Sequence, residues 1–160
     1  MVEDGIGDKG RGEKEIKIFP VPFDFKDLKE NININTNINT KISRAQIINQ
    51  ALKFHSQGNI LGASKYYQYF IDQGFKDHRV LSNYGIILIS NGKLKEAEVY
   101  LCQAIEMKPN FADAFSNLGG LYLNLGELNK SELHLHKAIE LNPDLANPYY
   151  NLGKISIEKK

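Results

Sequence analysis

The sequence predicts an all-α protein of about seven helices, paired antiparallel and stacked as hairpins behind a poorly ordered leader. Three observations carry that expectation. Equivalent residues return every 34 positions: Gly58, Gly92 and Gly126; Gly85 and Gly119; Ala104 and Ala138; Pro109 and Pro143; and Asn49, Asn83, Asn117 and Asn151. Between these marks, apolar residues recur at three- and four-residue spacing, the period of a helix with one buried face. A fixed period of this length belongs to a two-helix unit that cannot bury its apolar face alone and must stack on its neighbours.

The elements follow in order. Residues 1–42 read as a flexible leader or tether: a charged, glycine-rich start, then "IFPVPFDF", whose prolines disfavour helix, then the low-complexity run "NININTNINT". A docking role for "IFPVPFDF", onto this protein or another, is one reading of that segment. Ser43 and Gln46 form a capping-box signature, and Ile47, Ala51, Leu52 and Phe54 keep helical spacing, so a first helix is expected over 44–57. Helices are expected over 60–73, 78–91, 94–107, 112–125, 128–141 and 147–158. Gly58, Gly92 and Gly126 end the first helix of each pair, because glycine takes the positive φ of a helix C-terminus without strain. Pro109 and Pro143 end second helices.

The residues Phe115, Leu118, Gly119, Tyr122, Gly126, Leu135, Ala138 and Pro143 resemble a tetratricopeptide repeat, with Ser131 in place of its usual small alanine. One period earlier, Leu81, Tyr84, Gly85, Leu88, Gly92, Ala97, Leu101, Ala104 and Pro109 are similar. A weaker copy holds Ile47, Ala51, Phe54, Gly58, Ala63, Tyr67 and Phe70 and ends in Phe75 where proline is usual. Tyr149, Leu152 and Gly153 begin a fourth. The resemblance implies a right-handed α-α superhelix, a tetratricopeptide solenoid over 43–160, with repeats 44–77, 78–111 and 112–145 and a capping helix at 146–158. Its concave face is lined by the first helix of each pair.

Composition narrows the function. Twenty Lys and Arg against nineteen Asp and Glu leave a net charge of +1, so no basic surplus exists to bind nucleic acid or an anionic membrane. No stretch approaches the ~18 apolar residues of a membrane span. Cys102 stands alone, which fits a reducing, cytoplasmic compartment. His134 and His136 invite a metal reading, but two helical residues two apart point about 200° away from each other and cannot chelate one ion. No metal, cofactor or catalytic residue is assigned, since no nucleophile elbow, phosphate loop or zinc-binding His-Glu pair occurs.

The positive signal is the row Asn49, Asn83, Asn117 and Asn151, one amide at the same place in each first helix. Each offers a donor and an acceptor, suited to the backbone of an extended peptide. The family resemblance supports this, because a similar asparagine ladder holds peptide backbones in the repeat region of the O-linked N-acetylglucosamine transferase family. Ser116, Ile86 and Tyr150 are expected beside the row, with Arg79 and Lys154 adding local positive charge. The family's other well-known groove, the carboxylate clamp of chaperone adaptors, is mostly missing. Ile48 and Leu52 stand at the places of its first Lys and Asn, and Asp113 and Asn117 at those of its third-repeat Lys and Arg; Asn83 alone agrees. The expectation is a non-catalytic scaffold, monomeric, binding a protein or peptide segment. The alternatives are the recognition part of a larger transferase and a module that self-associates through its last helix.

Overall fold

A computed structural model describes residues 43–159; the leader 1–42, with its tether and docking readings, lies outside the described residues. Seven helices follow one another: α1 (Arg44–Ser56), α2 (Ile60–Asp72), α3 (His78–Ser90), α4 (Leu94–Met107), α5 (Ala112–Asn124), α6 (Leu128–Leu141) and α7 (Ala146–Glu158). No strand occurs among the described residues. The helices end within a residue of the sequence expectation, and the reasons are local. Ser43 and Gln46 close a reciprocal capping box at α1, the Ser43 hydroxyl accepting from Gln46 N at 3.2 Å and the Gln46 side chain accepting from Ser43 N at 2.8 Å. Asn59 and Asp77 cap α2 and α3 by accepting from Gly62 N and Arg79 N, each at 2.9 Å. Gly58, Gly92 and Gly126 adopt φ of 71°, 74° and 74°, which turns the chain between the helices of a pair.

The first repeat's departure at Phe75 has a structural account. Gly74, at φ 74°, ends α2 in place of a proline, and Phe75 folds back so that its ring lies 5.3 Å from that of Phe70. Arg44 lies over the other side of this pair, 5.6 Å from the Phe70 centroid, and its guanidinium donates to the Lys76 carbonyl. An aromatic and a cation thus close the connection between the first and second repeats, where later repeats use Pro109 and Pro143.

Within each pair the helices approach closely: α1 on α2, α3 on α4 and α5 on α6. The stack then continues through α2 on α3, α4 on α5 and α6 on α7, and the first helices also meet side by side, α3 on α5 and α5 on α7. This alternation is the right-handed superhelix of hairpins. Its core is a continuous column that includes Ile47, Tyr67, Phe70, Ile87, Leu101, Leu118, Leu121, Leu135 and Ile155. The crossings rely on glycine. A methyl group on Gly85 would meet Leu101 Cγ at 2.9 Å, and one on Gly119 would meet Leu135 Cγ and Cδ2 at 2.6 Å. Opposite them the second helices stay small, with Ala63, Ala97 and Ser131 fully buried. Ser131 is tolerated there because its hydroxyl donates to the Gly119 carbonyl at 2.7 Å, so the polar atom is not left unpaired.

Adjacent glycines on α5 therefore respond oppositely to the same change. Gly119→Ala is expected to destabilise the chain by about 1–3 kcal/mol through overpacking against Leu135. At Gly120 an added methyl meets only Asn151 Nδ2 at 3.4 Å. Gly120→Ala is expected to stabilise by about 0.5–1 kcal/mol, the helix-propensity gain alone. Urea denaturation of the two variants beside the parent measures both signs.

Candidate functional site

The first helices of the pairs, α1, α3, α5 and α7, place the asparagine row at one register position each. Asn49 on α1 is exposed, whereas Asn83, Asn117 and Asn151 are half-buried. The amides reach backwards along the stack. Asn83 Nδ2 donates to the Tyr67 hydroxyl of α2 at 3.2 Å, and that hydroxyl also lies 3.1 Å from His55 Nδ1. Asn117 Nδ2 donates to Ser82 Oγ of α3 at 3.0 Å. Asn151 Nδ2 lies against the backbone at Gly120 of α5. Two of the four amides thus bond the preceding repeat and a third rests on it. Each bonded amide uses one N–H, and no bond among the described residues engages the Oδ1 of Asn83 or Asn117.

The remaining candidates differ in access. Ser116 is buried at 5% exposure, as is its equivalent Ser82 at 1%. Ile86 is half-buried beside the row, and Leu52, one repeat earlier, matches it. Tyr150 is 66% exposed on α7, with the Lys154 ammonium 5.1 Å from its ring centroid. Arg79 turns back on the cap of its own helix: Nε and Nη2 hold the two oxygens of Asp77 at 3.2 and 3.0 Å. Burial alone would raise the Asp77 carboxyl, yet it is held below the usual carboxylate range by hydrogen bonds from the Arg79 side chain and backbone, by the Arg79 charge, and by Val80 N–H. The pair is closed and close to neutral toward a ligand. Asp113 is exposed at the equivalent place on α5.

The sequence pattern did not single out Ser82 and Tyr67 as partners of the row. The signal was present for the first, since the dipeptide Ser-Asn recurs at 82–83 and 116–117. Tyr67 gave none, because Leu101 and Leu135 occupy its place in later repeats.

A second polar cluster joins the last repeats. The Tyr122 hydroxyl of α5 donates to Glu98 Oε1 of α4 at 2.6 Å, and His134 of α6 stacks on Tyr122 with centroids 5.3 Å apart and on Phe115 at 6.1 Å. Burial, then the Glu98 bond and charge, pushes the Tyr122 hydroxyl far up. His134 is half-buried and His136 exposed, so the two rings lie in different surroundings. Burial lowers the His134 pKa below its ordinary value, Glu98 opposing, and burial likewise lowers that of His78, with Asp77 opposing. No helix among the described residues is long and apolar enough to cross a membrane.

With this geometry in view, comparison with known proteins gives a consistent result. The tetratricopeptide repeat family matches residues 78–111 and again residues 112–145. No curated protein matches the chain. Among solved structures, the first such domain of Spaghetti (RPAP3), bound to the HSP90 peptide SRMEEVD, is 20% identical with a TM-score of 0.65, covering 76% of this chain and 98% of that one. The second such domain of human RPAP3, in complex with the HSP70 peptide SGPTIEEVD, is 23% identical with a TM-score of 0.60, covering 69% and 92%. The TPR2B domain of yeast Sti1, in a complex with pHsp70, is 20% identical with a TM-score of 0.62, covering 72% and 97%. At these identities the likeness is one of fold.

The two depressed histidines set a pH dependence with a definite sign. Each takes up a proton less readily in the folded chain than when unfolded, so stability falls as pH drops through about 6.5. His134→Phe, which keeps a ring against Tyr122, is expected to flatten that slope. Urea midpoints of parent and variant between pH 7.5 and about 5.5 check it.

Proposed function

Because the chain is a tetratricopeptide repeat protein, with family matches over 78–111 and 112–145, we propose that it is a non-catalytic adaptor whose concave face takes an extended peptide segment of a partner protein. The domain runs from 43 to 160, as repeats 44–77, 78–111 and 112–145 with a closing helix at 146–158. The reading rests on one observation: Asn83 and Asn117 are held in place by the preceding repeats, yet among the described residues no bond engages their Oδ1. Amides anchored in this way lose little side-chain freedom on meeting a peptide backbone, which lowers the cost of binding.

The same surface favours a neutral ligand. The HSP90 and HSP70 peptides held by the RPAP3 domains end in EEVD. Here Ile48 is buried and Leu52 half-buried at the places of the chaperone clamp's first Lys and Asn, and an exposed Asp113 and a half-buried Asn117 stand at those of its third-repeat Lys and Arg. Arg79 is already paired with Asp77. An acidic tail would lose hydration and face the Asp113 carboxylate, with Lys154 beside Tyr150 as one exposed cation to offset it, whereas an uncharged segment meets apolar side chains and amides. Asn49, Asn83, Asn117 and Asn151 carry the backbone contacts in this reading. Ile86 and Tyr150 supply apolar contact, Arg79 lies at the edge, and Ser116 supports the row from beneath.

Selection from a random peptide library followed by titration tests the proposal. The selected peptides are expected to be extended and uncharged, and Asn49→Ala, Asn83→Ala and Asn117→Ala should each weaken binding about fivefold, equivalent to one lost hydrogen bond of ~1 kcal/mol. A peptide ending in EEVD should bind no better than a scrambled control. Asn49→Ala separates binding from folding, because Asn49 is exposed; Asn83→Ala also removes the bond to Tyr67. Affinities indifferent to all three changes would remove the groove role.

A further inference from the structure

The outward side of α7 repeats a surface that is occupied twice inside the chain. In α3 the residues Leu81, Tyr84, Gly85 and Leu88 lie under α4, and all four are buried. In α5 their equivalents Phe115, Leu118, Gly119 and Tyr122 lie under α6, three buried and Phe115 half-buried. One period on, α7 carries Tyr149, Leu152, Gly153 and Ser156. Tyr149 is 50% exposed, Gly153 and Ser156 are exposed, and Leu152 is half-buried. The glycines make the contrast sharp. Leu101 fills the notch at Gly85 and Leu135 the notch at Gly119, but no described residue lies within 4 Å of the equivalent point on Gly153. The inner side of α7, with Pro148 and Ile155 buried, is already spent on α5 and α6.

We propose that this strip is a docking site for one amphipathic helix of a partner protein, laid antiparallel to α7 with a leucine in the Gly153 notch. Continuity with the chain's own hairpin interfaces specifies the occupant. The helix that covers α3 carries Ala97, Leu101 and Ala104, and the helix that covers α5 carries Ser131, Leu135 and Ala138. Both read small-x3-Leu-x2-Ala. The small residues let the backbones approach, and the leucine occupies the space that glycine leaves. A partner helix with that pattern would cover Tyr149 and Leu152 as α4 and α6 cover their equivalents. One departure weakens the site: Ser156 replaces Leu88 and Tyr122, so one end of the strip offers a hydroxyl where the internal interfaces bury a large side chain. The docking is therefore modest in affinity and reversible. It uses a face that the concave groove does not.

The test uses the chain's own α6 sequence in trans, the synthetic peptide spanning residues 127–143, titrated into the full isotope-labelled chain and followed by amide chemical shifts. Saturable binding is expected, with the largest shifts at Tyr149, Leu152, Gly153 and Ser156. Gly153→Leu, which fills an exposed notch with a good helix former, should weaken binding at least tenfold with unchanged circular dichroism, and a peptide with Leu135→Glu should not bind. No saturation by millimolar peptide overturns the proposal, as does binding that Gly153→Leu leaves intact. A measured mass twice the 18.1 kDa of the chain, undisturbed by the peptide and abolished by Gly153→Leu, would assign the strip to a second copy and overturn it equally.

Discussion

The architecture depends on how closely two helices of a hairpin can approach. Gly85 and Gly119 remove one side chain from the crossing, and Leu101 and Leu135 enter the space at distances that would put a methyl group inside their van der Waals surface. Once that contact is set, the inclination of each hairpin is set with it, and identical crossings 34 residues apart add up to a superhelix. The fully buried Ala63, Ala97 and Ser131 belong to the same constraint seen from the opposite helix. Ser131 shows how narrow it is: a single added oxygen is accommodated only because the Gly119 carbonyl is near enough to accept its hydrogen bond.

The asparagine row acquires its geometry from that regularity. Side chains at one register position come into line when the units carrying them are related by a constant rotation, so the row is a consequence of stacking. Its amides then contribute to the stacking. Asn117 bonds Ser82 one repeat back, and Asn83 bonds Tyr67, which lies within reach of His55. Half-buried amides in such places must be paired by the protein or remain hydrated. The donors Asn83 and Asn117 are thereby fixed in direction, and Arg79 is engaged by Asp77. Under the proposed reading, fixed amides favour recognition of a backbone.

The parts of this fold that were legible in the sequence are those that repeat. Helix limits, hairpin pairing and the glycine crossings each occur at least twice, so one occurrence corroborates another. What was not legible occurs once. Phe75 looked like a missing proline, and only the packing of its ring on Phe70, with Arg44 near the same ring, shows how that connection is closed without one. Tyr67 could not be tied to Asn83 because leucine replaces it in later repeats. Arg79 looked like a ligand-facing cation, and its engagement with Asp77 depends on a local backbone turn at the α3 cap. Ser116 was read as a groove residue from its register position, which fixes its side of the helix but not its depth; the close packing of α5 against α3 accompanies its burial.

The first and last described helices differ in their contacts. In a stacked array each unit is stabilised by its own packing and by its neighbours. A capping box starts α1, and Phe70, Phe75 and Arg44 form an aromatic and cationic cluster beside it. At α7 the contacts with described helices lie on one side. Pro148 and Ile155 anchor the helix, and Lys159 bonds Glu132 of α6 at 2.7 Å, an exposed pair worth little in water. On the opposite side no described residue fills the notch at Gly153, although the glycine and the aromatic of a hairpin interface are both there. An exposed glycine in mid-helix costs about 1 kcal/mol relative to alanine, a cost that the docking proposed above would offset.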